Sequence, residues 1–453
     1  MRQYRYSTST TRRKNRDGSF FIRNGLRIFM GLLFIGSAYV KMVDPFGFAL
    51  KIEEYFISFS LNFMTPTSMF FAFAAILAEF MIGWALLLNI QMQITAWVLL
   101  LFMIFFTLLT CYLAYFLDVL KIINNIFGTN FERFMVTDCG CFGDFIKLTN
   151  YQTFYKNIIF LLFAIIIFRQ RKKYKQQEWY YITQWGPILL SVIFALFVMI
   201  HCLLHEPWHD FRPWKVGNFI AGETYSEAPE IDFVFQYKNN QTGKIEEFSI
   251  DKLSAIADDS LQNAEFEAKY TYIKRSEKVI TPGINARLAD FSITNNEGTD
   301  IKNMVMLQDD LNFIIFIRNL AQMNENKLKN IKALISDCKA EGIPYILLTS
   351  SSPYMVDSLN LLELDSNESF FFCDATPMKT ALRNDPGVVM LQQGYILDKW
   401  AFRDVPALSD ILAHKEQYDN NLQKYRQKTP PIFMDATDSI NIENTPDYQE
   451  IEN

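Results

Sequence analysis

Cysteine and charge are both sparse in this chain. Six cysteines in 453 residues are too few for a small disulfide-rich secreted scaffold. Charged residues make up only 20%, yet the 15% aromatics and 42 phenylalanines exclude a disordered chain. The length allows two or three domains, each large enough to bury a core. A mean hydropathy of +0.05 and a net charge of −6 describe neither half of the molecule. Residues 1–217 hold 21 Lys and Arg against 12 Asp and Glu, a net of +9, and the remainder holds 22 against 37, a net of −15. An apolar, basic half is joined to a polar, acidic one.

Within the first half, charge is almost missing from five stretches: Leu26–Met42, Ser68–Leu88, Thr95–Leu117, Tyr155–Phe168 and Pro187–Leu204. A bilayer core needs about 20 largely apolar residues, so these are read as membrane spans, the fourth being short with uncertain ends. Helices apolar on every face have no side to turn to water. The first is not a cleaved signal peptide: its cationic leader is too long, and Lys41-Met42-Val43-Asp44-Pro45 is no small-residue cleavage site. Orientation follows from Lys and Arg at the span ends. The leader carries Arg2, Arg5, Arg12, Arg13, Lys14, Arg16, Arg23 and Arg27, and the connection after the fourth span carries Arg169, Arg171, Lys172, Lys173 and Lys175. Both belong inside, which makes the loop at about 118–153 and the acidic second half external. Phe46–Asn62 is amphipathic and is read as an interfacial helix on the outer leaflet.

The external loop carries Asp138-Cys139-Gly140-Cys141-Phe142-Gly143-Asp144. Cys139 and Cys141 are near enough to join, because Gly140 permits a tight backbone. A strained bond of this kind is readily reduced, which suits an exchange pair. A structural bond to a third cysteine, or two buried thiols, are the other readings; a metal site would need further ligands nearby. Cys111, toward the outer end of the third span, is a candidate resolving thiol, or simply a small core residue. His201, His205 and His209 follow at i, i+4 and i+8, the spacing of a metal-gripping helical face. Pro207 disturbs that helix, and interfacial histidines are the other explanation, so no metal is assigned. Glu79 lies near the middle of the second span, where an ionisable group is costly. It is read as a quinone or proton contact, or as a protonated acid bonded to a neighbouring helix; a quinone is the one cofactor suggested.

In the second half, residues 218–285 form a polar stalk or insert with strand-like pieces at Ile231–Tyr237 and Glu246–Ile250. From Leu288 the elements alternate: strands at Phe291–Thr294, Phe313–Ile317, Tyr345–Leu348, Phe370–Phe372, Val388–Leu391 and Tyr395–Lys399, with helices at Asn324–Glu341, Pro353–Leu362, Thr376–Arg383 and Ala407–His414. Over about 288–415 this order resembles the thioredoxin-like fold of the peroxiredoxin and TlpA type. Asp290-Phe291-Ser292-Ile293 looks like the opening of such domains, and Asp385-Pro386-Gly387-Val388 lies where they carry a cis-proline. The family places its reactive cysteine after the strand 313–317, but this chain has Arg318-Asn319-Leu320-Ala321-Gln322-Met323-Asn324. Without a thiolate there, neither exchange nor peroxide reduction starts from that site. Cys338 and Cys373 are expected to be structural thiols or a bond between them. From 416 the Asn-, Gln- and Asp-rich chain is read as a disordered tail.

The first half, over about 20–170, is similar to the DoxX/MauE group of four-helix membrane proteins. Gly31–Phe34 with Lys41-Met42-Val43-Asp44-Pro45, and Cys139-Gly140-Cys141-Phe142-Gly143 before the fourth span, carry the likeness. Asp210-Phe211-Arg212-Pro213-Trp214-Lys215 looks like a segment of Bacteroidetes fusions of this architecture. The resemblance implies a cytoplasmic-membrane protein linked to thiol oxidation in the envelope; MauE-like proteins are associated with methylamine-utilisation maturation. The expected fold is therefore a membrane α-helical bundle, four DoxX/MauE-like helices plus a fifth span, followed by an α/β thioredoxin-like domain. Its parts are a basic leader (1–25), the bundle (26–170), a basic loop and fifth span (171–217), a stalk or insert (218–285), the thioredoxin-like domain (286–415) and a tail (416–453). Two functions compete: thiol–disulfide exchange through Cys139 and Cys141, with the external domain recruiting an envelope protein client, and a non-enzymatic envelope scaffold with a structural cysteine pair. Membrane lipids are partners in either case; nucleic acid is not, since topology accounts for the basic leader.

Overall fold

A computed structural model describes residues 18–127, 136, 140–143, 145–146, 148–174, 181–225, 230–257, 260–281, 286–358 and 370–429. Two units emerge. One takes the chain as far as Arg212 together with Thr380–Gly387 and Trp400–Val405; the other takes Pro213–Lys379, Val388–Lys399 and the chain from Pro406 onward.

The first unit is helical: α1 (Gly18–Val43), α2 (Pro45–Ser58), α3 (Ser68–Leu88), α4 (Met92–Phe127), α5 (Asn150–Arg169) and α6 (Tyr181–Leu204). Among the described residues five of its stretches are helical, long and apolar enough to cross a membrane: Ile22–Val43, Asn62–Leu88, Met92–Phe116, Asn150–Arg169 and Trp185–Leu204. The fourth is not short. A capping box, with Gln152 N donating to Thr149 Oγ1 at 3.2 Å and Thr149 N to Gln152 Oε1 at 3.1 Å, starts that helix five residues before Tyr155. α1 and α3 approach closely because two glycines face each other: a Cβ on Gly31 would lie 3.0 Å from Gly83 O, and one on Gly83 only 2.7 Å from Ile35 Cγ1. Met30, Phe34, Leu86, Leu99 and Ile167 fill one core, and Ala38, Met42, Ile76, Phe80 and Met199 another. Leu32, Phe105, Leu108, Leu162 and Leu190 remain turned outward; lipid tolerates such a surface and water does not. Arg27 is buried, and its Nη1 donates to Leu86 O and, at 2.9 Å, to Leu87 O. A cation therefore caps the carbonyl end of α3.

Asp44 starts α2: its Oδ1 accepts from Gly47 N at 2.9 Å, with Pro45 at the first helical position. The amphipathic stretch is thus a helix, burying Phe48, Ala49 and Tyr55.

The second unit opens on the short helix α7 (Ile220–Glu223) and then holds two sheets. Strands β1 (Glu230–Asn239), β2 (Ile245–Ser249) and β3 (Tyr270–Thr281) form an antiparallel sheet in the order β2-β1-β3. Asn239 Oδ1 accepts from Gln241 N and Thr242 N, at 3.0 and 3.1 Å, in the turn between the first two strands. Helices α8 (Ile250–Ala257) and α9 (Ser260–Lys269) connect β2 to β3. The stretch read as a stalk or small insert holds a small α/β module.

The second sheet follows α10 (Lys302–Met306). Its elements are β4 (Asn312–Phe316), α11 (Glu325–Glu341), β5 (Tyr345–Thr349), α12 (Pro353–Ser358), β6 (Phe370–Phe372), α13 (Ala375–Ala381), β7 (Gly387–Gln392), β8 (Tyr395–Ala401), α14 (Leu408–Ala413) and α15 (Lys415–Lys428). The order is β6-β5-β4-β7-β8, with β4, β5 and β6 parallel. Gln393 and Gly394 turn the hairpin with φ of 51° and 79°. Parallel crossovers on one side of the central strand and a hairpin on the other make this a thioredoxin-like sheet, and the Asp385–Pro386 bond is cis. Trp214 is fully buried between the rings of Phe291 and Phe316, at 5.0 and 5.7 Å.

Two expectations change here. Phe291–Thr294 is not a strand; Thr294 makes only single bridges, to Asp300 and Phe372. Residues 415–428 are a helix and not a disordered tail, because Leu422 is buried and Tyr418 OH donates to Asp398 at 3.1 Å; burial pushes the Tyr418 hydroxyl up to about 12. Residues 430–453 lie outside the described residues.

Candidate functional site

Gly140 and Gly143 both have left-handed φ, 61° and 50°, and Gly143 N closes a turn on Gly140 O at 3.1 Å. L side chains rarely adopt that conformation, and the space beside both glycines is tight. A Cβ on Gly140 would stand 3.1 Å from Lys51 Cγ, and one on Gly143 3.3 Å from Val40 Cγ1. Cys141 sits between them, half-buried and packed with Tyr55, Leu113 and Val136. Its carbonyl accepts from Ser37 Oγ on α1 at 2.9 Å. Cys139 lies outside the described residues, as does Asp138.

Three lysines approach this loop from three helices. Lys51 of α2 lies along Gly140. Lys156 Nζ of α5 stands 4.5 Å over the Phe142 ring. Lys41 Nζ of α1 donates to Ser37 Oγ at 3.0 Å, one hydrogen bond from the Cys141 carbonyl. Two of the three are ion-paired, Lys51 with Glu54 at 2.9 Å and Lys41 with Glu79.

Glu79 does have a partner: its Oε2 lies 2.6 Å from Lys41 Nζ, with both side chains at most 10% exposed. Counting residues puts Lys41 at the end of one span and Glu79 near the middle of the next. The helices are staggered, so the two meet. The ammonium also faces the Phe48 ring at 5.4 Å.

Other candidates are placed differently. Cys111 is half-buried on α4, one turn before Tyr115, whose OH lies 3.1 Å from Tyr155 OH of α5. The α4 residues that pack with Cys141 are Leu109, Tyr112 and Leu113. The three histidines do not share a face, since α6 ends at Leu204. His201 and His205 stack at 4.9 Å, His205 Nδ1 is 2.8 Å from the Asp404 carboxylate, and His209 Nδ1 is 2.7 Å from Tyr39 OH. Among the described residues no three His, Cys, Asp or Glu side chains cluster as metal ligands.

In the second unit, the stretch after β4 from Arg318 to Asn324 holds no cysteine, and Asn319 Oδ1 accepts from Ala321 N at 3.0 Å. Cys338 and Cys373 are buried free thiols; burial pushes them up to about 12 and about 11. Neither is a nucleophile at neutral pH.

Two charge clusters escaped the sequence reading. Arg383 grips Asp44 through Nε–Oδ1 at 2.9 Å and Nη2–Oδ2 at 2.6 Å. Burial alone would raise the Asp44 carboxyl, but Arg383, with Arg212 and Gly47 N, holds it below the usual carboxylate range. Arg212, 2% exposed, pairs with Glu206 at 2.6 Å and Asp210 at 2.8 Å. Asp44 precedes a proline at a helix start, a visible capping signal; nothing local announces its partner 339 residues away.

An integral membrane protein with a four-helix core and a glycine-bracketed cysteine loop is the class these features define. Residues 19–170 match the family of the methylamine utilisation protein MauE. The chain is also similar to Protein TlpB of Flavobacterium psychrophilum, 27% identical over 209 residues, which are 46% of this chain and 52% of that protein. It thus spans about half the length of that curated relative. A solved structure of BsSco, a member of the Sco family of cytochrome c oxidase assembly proteins, covers 30% of this chain and 90% of its own at 11% identity and a TM-score of 0.21.

Proposed function

We propose that this membrane protein exchanges disulfides with an envelope protein through Cys139 and Cys141. Its setting is the bacterial cytoplasmic membrane, with the N-terminus inside and the cysteine loop and thioredoxin-like unit outside. The observation that carries the reading is the Cys141 turn, held by Ser37 and approached by Lys41, Lys51 and Lys156. A client thiolate attacks one sulfur of the Cys139–Cys141 disulfide, forming a mixed disulfide and releasing the other as thiolate. A second client thiolate then resolves the mixed bond. The client gains a disulfide and the pair becomes a dithiol, two electrons and two protons having moved. The thioredoxin-like unit contributes no nucleophile, because residues 318–324 after β4 hold no cysteine and Cys338 and Cys373 are buried; its part is to hold the client. Glu79 is engaged by Lys41, and no step is routed through a quinone.

The packing of Cys141 against Tyr55, Leu113 and Val136 favours a second reading, a scaffold whose cysteine pair is structural. Thiol alkylation in native membranes before and after mild reduction separates the two, together with Cys141→Ser to trap a partner on the remaining Cys139. Exchange requires a pair that changes state and a mixed disulfide in the variant. A pair that never changes state, with nothing trapped, leaves the scaffold.

A further inference from the structure

We infer that Lys41, through Ser37, is a positioning residue that fixes the Cys141 turn, with Glu79 as its buried ion-pair partner. This rests on the exchange reading of Cys139 and Cys141. The donor and acceptor roles in the chain are forced. A lysine ammonium only donates and a backbone carbonyl only accepts. Ser37 Oγ, 3.0 Å from Lys41 Nζ and 2.9 Å from Cys141 O, must therefore accept from the first and give its own proton to the second. Rotating the hydroxyl away would break both contacts. The whole run is buried: Ser37 is 5% exposed, Lys41 6% and Glu79 7%. Glu79 Oε2 at 2.6 Å supplies the opposite charge that a buried ammonium needs beside it. The ion pair between α1 and α3 thus holds the ammonium against Ser37, and bonds in such a chain strengthen one another.

The test uses full-length protein in native membranes, comparing Ser37→Ala, Lys41→Met and Lys41→Met/Glu79→Met. Each is scored for thermal stability, for the rate at which dithiothreitol reduces the loop disulfide, and for labelling of Cys141 by a maleimide afterwards. Lys41→Met alone strands Glu79 and lowers stability; the double variant removes both charges and restores it. Ser37→Ala and the double variant are expected to change the reduction rate in the same direction by about tenfold, the worth of one well-placed hydrogen bond, with less loss of stability than Lys41→Met alone. Ser37→Ala added to the double variant should change the rate less than it does in the wild type, because Lys41 no longer orients the hydroxyl. Wild-type reduction and labelling rates in both stable variants would overturn the inference while leaving exchange intact. A wild-type pair that never changes redox state would overturn the exchange reading, and the inference with it.

Discussion

Asp44 does two jobs at once, and its replacement by Asn and by Ala separates them. Its Oδ1 caps α2 on Gly47 N, and both carboxylate oxygens hold Arg383. The Arg383 side chain is 9% exposed and that of Asp44 21%, so the pair is mostly desolvated and its loss strands a guanidinium. Removing one partner of such a pair costs about 3 kcal/mol, and a lost N-cap about 1 kcal/mol more. Asp44→Asn keeps an oxygen for the cap and should lose only the first amount. Asp44→Ala should lose both, about 4 kcal/mol, or roughly 10 °C of melting temperature. The carboxyl is held low in the folded protein, so the unfolded chain binds the extra proton. The stabilisation is full above the ordinary Asp range near pH 4 and is lost as pH falls through the depressed folded value. Melting of wild type, Asp44→Asn, Asp44→Ala and Arg383→Met in lipid nanodiscs, from pH 3 to 7, reads all of this. The acid loss should be steep in wild type and shallower in Arg383→Met, where Arg212 and Gly47 N still act on the carboxyl. Wild-type melting in Asp44→Ala, or an acid limb unchanged in Arg383→Met, would refute the reasoning.

Arg27→Met should leave the Leu86 and Leu87 carbonyls without their cap and cost about 2 kcal/mol, with partial rescue by Arg27→Lys, measured by thermal melting in nanodiscs. Cys338 and Cys373 should stay unlabelled by maleimide at pH 8 in the folded protein, because thiols at about 12 and about 11 are ionised only to about one part in ten thousand and one in a thousand. Labelling should appear in denaturant; rapid reaction of either in the native protein would contradict their burial.

The spans were legible because an apolar run of about 20 residues has one stable home. The alternation of the second half was legible too: Phe313, Ile315 and Ile317 announce a buried strand, and Asn324 and Gly342 bracket a helix. Helix α15 was not, since its sequence is polar and rests on Leu422 and the Tyr418–Asp398 bond. How the histidines group was not legible, because a spacing of i+8 means one face only while the helix lasts, and α6 stops at Leu204.

Composition and local pattern therefore determined by themselves which segments are apolar enough to span a membrane, which form the alternating sheet, and that residues 318–324 after its first strand hold no cysteine. Those properties belong to single segments, and single segments display them. Which charges meet was decided only in three dimensions. Lys41 with Glu79, Asp44 with Arg383, and Ser37 with the Cys141 carbonyl depend on helix stagger and on contacts 38, 339 and 104 residues apart. A buried charge shows in the sequence that it needs a partner. Packing alone says which one it has.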